Sequence, residues 1–128
     1  MDEITIDGIE YTLTPKQTPI VYNDWRLPSI KELLTLVDYT KINSASGLTD
    51  TLPNYYWSST TYAGNTNYAW GVYFSSGYTL YSNKTYDGYV RCVRDGLNGL
   101  EWSATSSTEM NWEDALDYAS KLVAPVYA

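Results

Sequence analysis

Between residues 55 and 89 the chain carries Tyr55, Tyr56, Tyr62, Tyr68, Tyr73, Tyr78, Tyr81, Tyr86 and Tyr89, set among Ser, Thr, Asn and Gly. That mixture is contact chemistry. Rigid phenol rings give contact area at low entropic cost, and small polar neighbours give adaptable hydrogen bonds. It also suits sugars, whose apolar ring faces lie on aromatic rings while their hydroxyls meet polar side chains. The predicted ligand-binding set is Tyr62, Asn65, Asn67 and Tyr68 on a loop, with Tyr78, Tyr81, Asn83 and Tyr86 on the following strand and turn. Tyr56, Tyr73 and Tyr89 are predicted to belong to the sheet and its core.

Other chemistry is poorly supplied. The chain has no His and one Cys, which removes a Ser-His-Asp triad, a Cys-His pair and a His- or Cys-rich metal site. Its acids are scattered, chiefly Asp50 and Asp87 in the relevant region, so neither a calcium site nor any other metal or cofactor is expected. No carboxylate pair sits in a recognisable glycosidase motif. A net charge of −7 has the wrong sign for nucleic acid, and the eight cations form no run. No stretch approaches the ~18 apolar residues of a membrane span, and the acidic, alternating start is not a signal peptide. Asn83-Lys84-Thr85 matches the glycosylation sequon, read as a chance match unless a host glycosylates it.

The elements that must position these residues are short. The length of 128 residues predicts one domain, 1–128. Its aromatic content of 14 Tyr and 5 Trp against 1 Phe favours rings with a hydrogen-bonding handle over rings built only to pack. Residues 4–13 alternate around Asp7-Gly8 and predict a hairpin. Ser29 and Glu32 form a capping box, and Ile30, Leu33, Leu34 and Val37 a helical stripe, predicting a helix over 30–38. Strands are predicted at 55–60, 68–74, 78–81, 89–94 and 100–103. In the fourth, Val90, Cys92 and Arg94 face one way and Tyr89, Arg91 and Val93 the other. Asn111 caps a last helix with Glu113 and Asp114 in its first turn, and Pro125 stops it. The fold class is α+β, with two helices packed on short, mainly antiparallel strands.

Asp24-Trp25-Arg26-Leu27-Pro28-Ser29, Tyr56-Trp57-Ser58-Ser59-Thr60, Ala69-Trp70-Gly71-Val72-Tyr73-Phe74 and Tyr89-Val90-Arg91-Cys92-Val93-Arg94 together resemble the DUF1566 family. That family is also known as the C-terminal domain of the Legionella collagen-like adhesin. The resemblance implies a C-type-lectin-like fold and a surface or secreted binding module. Some similar domains are the ligand-binding ends of variable proteins made by diversity-generating retroelements. On this reading Asp24, Trp25, Arg26, Pro28, Trp57, Trp70, Arg91 and Cys92 are structural, as are Trp102 and Trp112. Arg26 is placed to hold a carboxylate bidentately, and Asp24 to cap or brace its turn. Similar domains of the formylglycine-generating type use cysteines this chain lacks, so that activity is not expected.

The motif order differs from the family's. Gly99-Leu100-Glu101-Trp102 and Trp112-Glu113-Asp114-Ala115-Leu116 resemble elements that normally precede Asp24-Trp25-Arg26, so residues 97–128 read as a circular permutation, and 1–14 as an added hairpin. Pro19-Ile20-Val21-Tyr22 echoes Pro125-Val126-Tyr127, and joining 121–127 to Asn23 would regenerate the usual sequence. A self-closed permutant, a cut from a tandem array, and exchange of the last helix with a neighbour all fit. The family's helix carries a Cys near the position of Ala119, so Cys92 lacks that partner and reads as a small buried residue. The predicted function is a non-enzymatic domain on a cell or virion surface, binding a glycan or protein ligand. A self-assembling structural module, by homo-oligomerisation or element exchange, is the alternative, and a glycoside hydrolase ranks third.

Overall fold

The structure, a computed structural model, describes residues 2–6, 9–13, 19–41 and 43–127. Its elements in order are β1 (Asp2–Ile6), β2 (Ile9–Leu13), α1 (Ile30–Leu34), β3 (Tyr55–Thr61), β4 (Tyr68–Tyr73), β5 (Tyr78–Asn83), β6 (Arg91–Gly96), β7 (Gly99–Thr105) and α2 (Trp112–Lys121). They form antiparallel sheets β1-β2, β3-β4-β5 and β6-β7. The α+β class therefore holds. The β1-β2 pairing agrees with the predicted hairpin, while its Asp7-Gly8 turn lies outside the described residues.

The three-stranded sheet is shared between two cores. Side chains alternate across a strand, so Tyr56 and Val72 lie on one face and Tyr55, Trp57, Ala69, Gly71 and Tyr73 on the other. The first face packs with Leu33, Leu36, Phe74, Val93 and Trp102. The second packs Trp57 and Ala69 with Trp25, Leu27, Val90, Cys92, Ala115 and Ala119. As predicted, Val90 and Cys92 face away from Tyr89 and Val93, one pair per core. Tyr56 is fully buried and Tyr89 half-buried, but Tyr73 is exposed. It sits at the end of β4 on the half of the second face that neither helix covers.

The predicted helix over 30–38 ends earlier. The capping box forms with both reciprocal bonds, but Thr35 closes the helix, its N–H and hydroxyl both donating to the Glu32 carbonyl. Leu36 and Val37 continue with tighter i−3 bonds, and Val37 then pairs with Ser46. A strand-like contact with a distant segment has overridden helical periodicity. The fourth strand is also displaced, to 91–96, because Tyr89 is engaged by β3 through a parallel bridge to Tyr56.

Two glycines make the sheet geometry possible. Gly77 has φ +83 in the β4-β5 turn, where a side chain would strain the backbone and meet Val37. Gly71 lets Tyr55 lie across β4, with its hydroxyl 3.2 and 3.0 Å from the carbonyls of Ala69 and Leu80.

Two segments far apart in the chain meet at Tyr22 and Ala124. Tyr22 and Ala124 exchange both backbone hydrogen bonds, at 2.9 and 3.1 Å, and the Trp25 indole N–H reaches the Tyr22 and Ala124 carbonyls. Helix α2 packs Ala115 and Ala119 into its own chain's core. Both copies of the Pro-Val-Tyr echo are used. Tyr22 lies over Arg94 at 3.6 Å and Tyr127 over Arg91 at 4.8 Å, one ring for each arginine.

Candidate functional site

The Asp24-Trp25-Arg26 motif is built as a brace. Arg26 exchanges both backbone bonds with Val93 at 2.9 Å, so Trp25 and Leu27 turn into the core. Arg26 and Asp24 are left to meet charges outside it. Arg26 grips Glu32 bidentately at 2.6 and 2.7 Å and reaches Asp95 at 3.1 Å. The Arg26 guanidinium, helped by the Ser29 N–H, holds the Glu32 carboxyl down at about 2. Asp24 takes Arg94 Nε and Nη2 at 2.7 and 3.1 Å, so it braces β6 rather than only its own turn. Arg94 also pairs with Glu101.

A cleft of about 600 Å³ lies beside the β6-β7 turn, lined by Tyr22, Arg94, Leu97, Leu100 and Glu101 among others. Its arginine is already neutralised by Asp24 and Glu101 and covered by Tyr22, so it offers a ligand little unspent charge. Cys92 is fully buried, and burial pushes its thiol up to about 12, which makes it a poor nucleophile. Pro28 is buried, and Trp57 and Trp112 each donate an indole N–H to a distant carbonyl, of Met110 and Ser58 respectively, at 2.9 Å. No group of three or more metal-ligating side chains occurs among the described residues.

Three tyrosines of the tyrosine-rich segment form an aromatic column with Trp70 at its edge. Tyr81 stacks on Tyr62 at 4.1 Å and 7°, and on Tyr68 at 5.7 Å and 16°. Trp70 meets Tyr62 and Tyr81 edge-on at 5.4 and 5.3 Å. Strand alternation explains the grouping. Tyr68, Trp70 and Val72 share one face of β4, and the register sets Trp70 opposite Tyr81. Helix α1 and its neighbours cover that face at Val72, and leave Trp70 partly outside the core. A register shift in β3 between Trp57 and Thr61 delivers Tyr62 beside the column, where its N–H donates to the Tyr68 carbonyl at 2.8 Å. The Ser58 hydroxyl pins the Trp70 carbonyl at 2.6 Å.

The other predicted contact residues divide. Asn65 spends its side-chain oxygen on the Asn67 N–H, holding the turn that carries Tyr68. Asn83 likewise accepts from the Thr85 N–H and hydroxyl. Tyr68, Tyr81, Ser82, Asn83 and Tyr86 line a depression of about 240 Å³. It adjoins, at Asn83, a second depression of about 400 Å³ that includes Asn67, Lys84, Trp112 and Glu113. Lys84 lies over Trp112 at 4.0 Å and donates to Thr61. Tyr78 does not join the group. It lies three positions along β5 from Tyr81, and alternation turns it to the opposite face beside Tyr73. Trp70, predicted to be scaffold, is partly buried and packs edge-on in the column. The spacing of Tyr68 and Trp70 was the available signal, since residues two apart on a strand share a face.

This geometry adds detail to the family relation. The Lcl C-terminal domain family matches residues 16–94, and the chain belongs to that family. The family is that of the C-terminal domain of the Legionella collagen-like protein, adhesin-like and surface-associated. No curated protein and no solved structure matches the chain. The family match ends at Arg94, so β7 and α2 lie beyond it. Among the described residues no helix is long and apolar enough to cross a membrane.

Proposed function

We propose that this domain is a non-enzymatic binding module of cell or virion surfaces, recognising a glycan or protein through the Tyr62-Tyr81-Tyr68 column. The observation that carries this is the column itself. Its three near-parallel rings are pre-ordered by mutual stacking, so a ligand orders little on binding. Tyr81 is sandwiched, so a ligand meets ring edges, phenol hydroxyls and the outer ring faces. Asn83, Ser82 and Tyr86 extend that surface with hydrogen-bonding groups. A glycan and surface-protein binding screen identifies the ligand. Tyr62→Ala and Tyr81→Ala are each then expected to weaken binding by about tenfold or more, the hot-spot range, while the melting curve stays cooperative. Unchanged affinity in both variants would place the site elsewhere, and turnover on a glycoside panel would overturn the non-enzymatic part.

We further infer that the chain is the family's C-type-lectin-like fold in circularly permuted order, closed on itself. What supports this is the exchange of backbone bonds between Tyr22 and Ala124, and the packing of α2 on its own chain. The antiparallel bridge runs the chain after Ala124 alongside the chain before Tyr22. The natural rejoining is therefore a turn from Tyr127 to Pro19 rather than a direct join to Asn23. A variant so joined, with residues 1–18 omitted and new ends between Asn98 and Gly99, is expected to fold to the same circular dichroism spectrum and bind the same ligand. An unfolded product would count against the permutation.

A further inference from the structure

Charge is shared unevenly over the surface of the domain. Seven acids form salt bridges with Lys or Arg. Asp87, Glu109, Glu113 and Asp114 are all exposed, and among the described residues none has a cationic nitrogen within 4.0 Å. The fold makes neighbours of these four. Gly88 and Met110 exchange both backbone hydrogen bonds, at 2.8 and 2.9 Å, and the Trp112 N–H donates to the Lys84 carbonyl at 3.0 Å. Segments 84–88 and 109–114 therefore lie side by side, and each acid is within two residues of one of those bonds.

The acids border the aromatic site. Asp87 follows Tyr86, and Glu113 lines the depression that meets the Tyr68-Tyr81-Tyr86 depression at Asn83. Lys84 stands among them but is already engaged, by the Thr61 hydroxyl at 3.0 Å and by the Trp112 ring at 4.0 Å. That lysine is itself a cation seated on an aromatic face at this site. Tyr81 and Tyr86 are 47% and 63% exposed, so their rings are within reach of a partner. A neutral sugar would leave the four carboxylates unused, and a sulfated or carboxylated one would be repelled by them. A guanidinium matches both features. Its plane stacks on a phenol ring, and its fork of N–H groups pairs with a carboxylate.

We propose that the occupant of this surface is an arginine-rich segment of another protein. Its guanidinium groups lie against the outer ring faces of the column and against Tyr86, and its charge opposes Asp87, Glu109, Glu113 and Asp114. Carboxylates at the rim steer and orient the encounter, and the ordered rings hold the docked segment. The net charge of −7 adds a long-range attraction of the same sign. The choice of a protein over a glycan rests on the column being the binding surface.

Fluorescence anisotropy of a dye-labelled peptide of alternating arginine and glycine, titrated with the full chain at about 0.1 M salt, tests it. A glutamate-glycine peptide, a neutral oligosaccharide and a sulfated oligosaccharide are run beside it. The arginine peptide is expected to bind, more weakly as salt rises, and the other three not to bind. Tyr81→Ala is expected to weaken the arginine peptide by about tenfold or more. Asp87→Asn with Glu113→Gln is expected to weaken it by about fivefold or more, and Asp95→Asn with Asp117→Asn, the same change in net charge placed elsewhere, by less than about twofold. Melting curves of both double variants are expected to stay cooperative. If the Asp87→Asn, Glu113→Gln chain does not fold, Glu113→Gln alone takes its place. A parent that does not bind the arginine peptide overturns the choice of partner, and Tyr81-dependent binding of either saccharide in its place leaves the column as the binding surface. Equal weakening by the two double variants reduces the attraction to net charge and overturns the proposal. Arginine-peptide binding that survives Tyr81→Ala overturns both the partner and the column.

Discussion

Replacing Arg91 with Ala is expected to lower the stability of the domain by about 3–5 kcal/mol, a fall in melting temperature of about 10–20 °C. The Arg91 side chain is 1% exposed. Its Nε donates to the Ser103 carbonyl and its Nη1 to the Thr51 hydroxyl, each at 2.7 Å, so it ties the loop before β3 to β7. Tyr127 closes over the guanidinium, held by its own N–H to Trp102 and its hydroxyl to Thr49. Burial lowers the Arg91 pKa and Asp50, 3.6 Å away, opposes that shift, but a guanidinium stays charged in either case. Its Nη2 has no hydrogen-bond partner, so the pair is imperfectly satisfied already. Truncation leaves a cavity, an unpaired buried carbonyl and a freed C-terminal segment. Asp50→Asn is the control. That carboxylate is 42% exposed, water replaces the lost Arg91 contact, and an Asn Oδ1 still accepts the Thr105 N–H that Asp50 takes at 2.8 Å, so about 1 kcal/mol or less is expected. Chemical denaturation of both variants checks the pair. Equal losses, or an Arg91→Ala loss under 1 kcal/mol, would show that Arg91 is not the tie described.

Gly71→Ala is expected to be the most damaging single-methyl change in the sheet, at about 2–3 kcal/mol. A Cβ at Gly71 would stand 2.3 Å from the Tyr56 carbonyl oxygen and 2.4 Å from the Tyr55 ring. The intrinsic preference runs the other way, since Ala in a strand gains about 0.5–1 kcal/mol over Gly. The clash wins because half of it is with backbone, which no rotamer change relieves. Tyr55→Ala removes the ring contact alone, so the double variant is expected to recover only part of the loss. The neighbour of Gly71 is Trp70, at the base of the aromatic column. Any separation of β3 from β4 therefore appears in the near-ultraviolet circular dichroism and in ligand affinity together. A Gly71→Ala protein as stable as its parent would mean that the close approach of β3 to β4 is not required.

The sequence by itself determined the features that depend on near neighbours. Ser29 and Glu32 announced the start of α1, Asn111 the start of α2, and alternation which side chains of each strand share a face. The Asp24-Trp25-Arg26 motif announced its family and a bidentate arginine, because a guanidinium beside a capping-box glutamate is a local arrangement. Where α1 ends was not local. Val37 had the helical spacing, but Ser46 offered it a strand-like partner. The candidate site divides in the same way. Tyr62, Tyr68 and Tyr81 were legible as contact-type residues, and Tyr68 with Trp70 as sharing a face. Only the tertiary structure decided that Trp70 keeps part of its surface outside the core while Val72, two residues on, is fully buried. Alternation set Tyr78 and Tyr73 on the opposite face, and the structure decided that this part of that face is exposed rather than core. Periodicity fixes which way a side chain points, but a helix or loop from elsewhere in the chain determines whether that direction is core or surface. Here each face of one sheet is half covered, so identical residue types on one strand meet opposite fates.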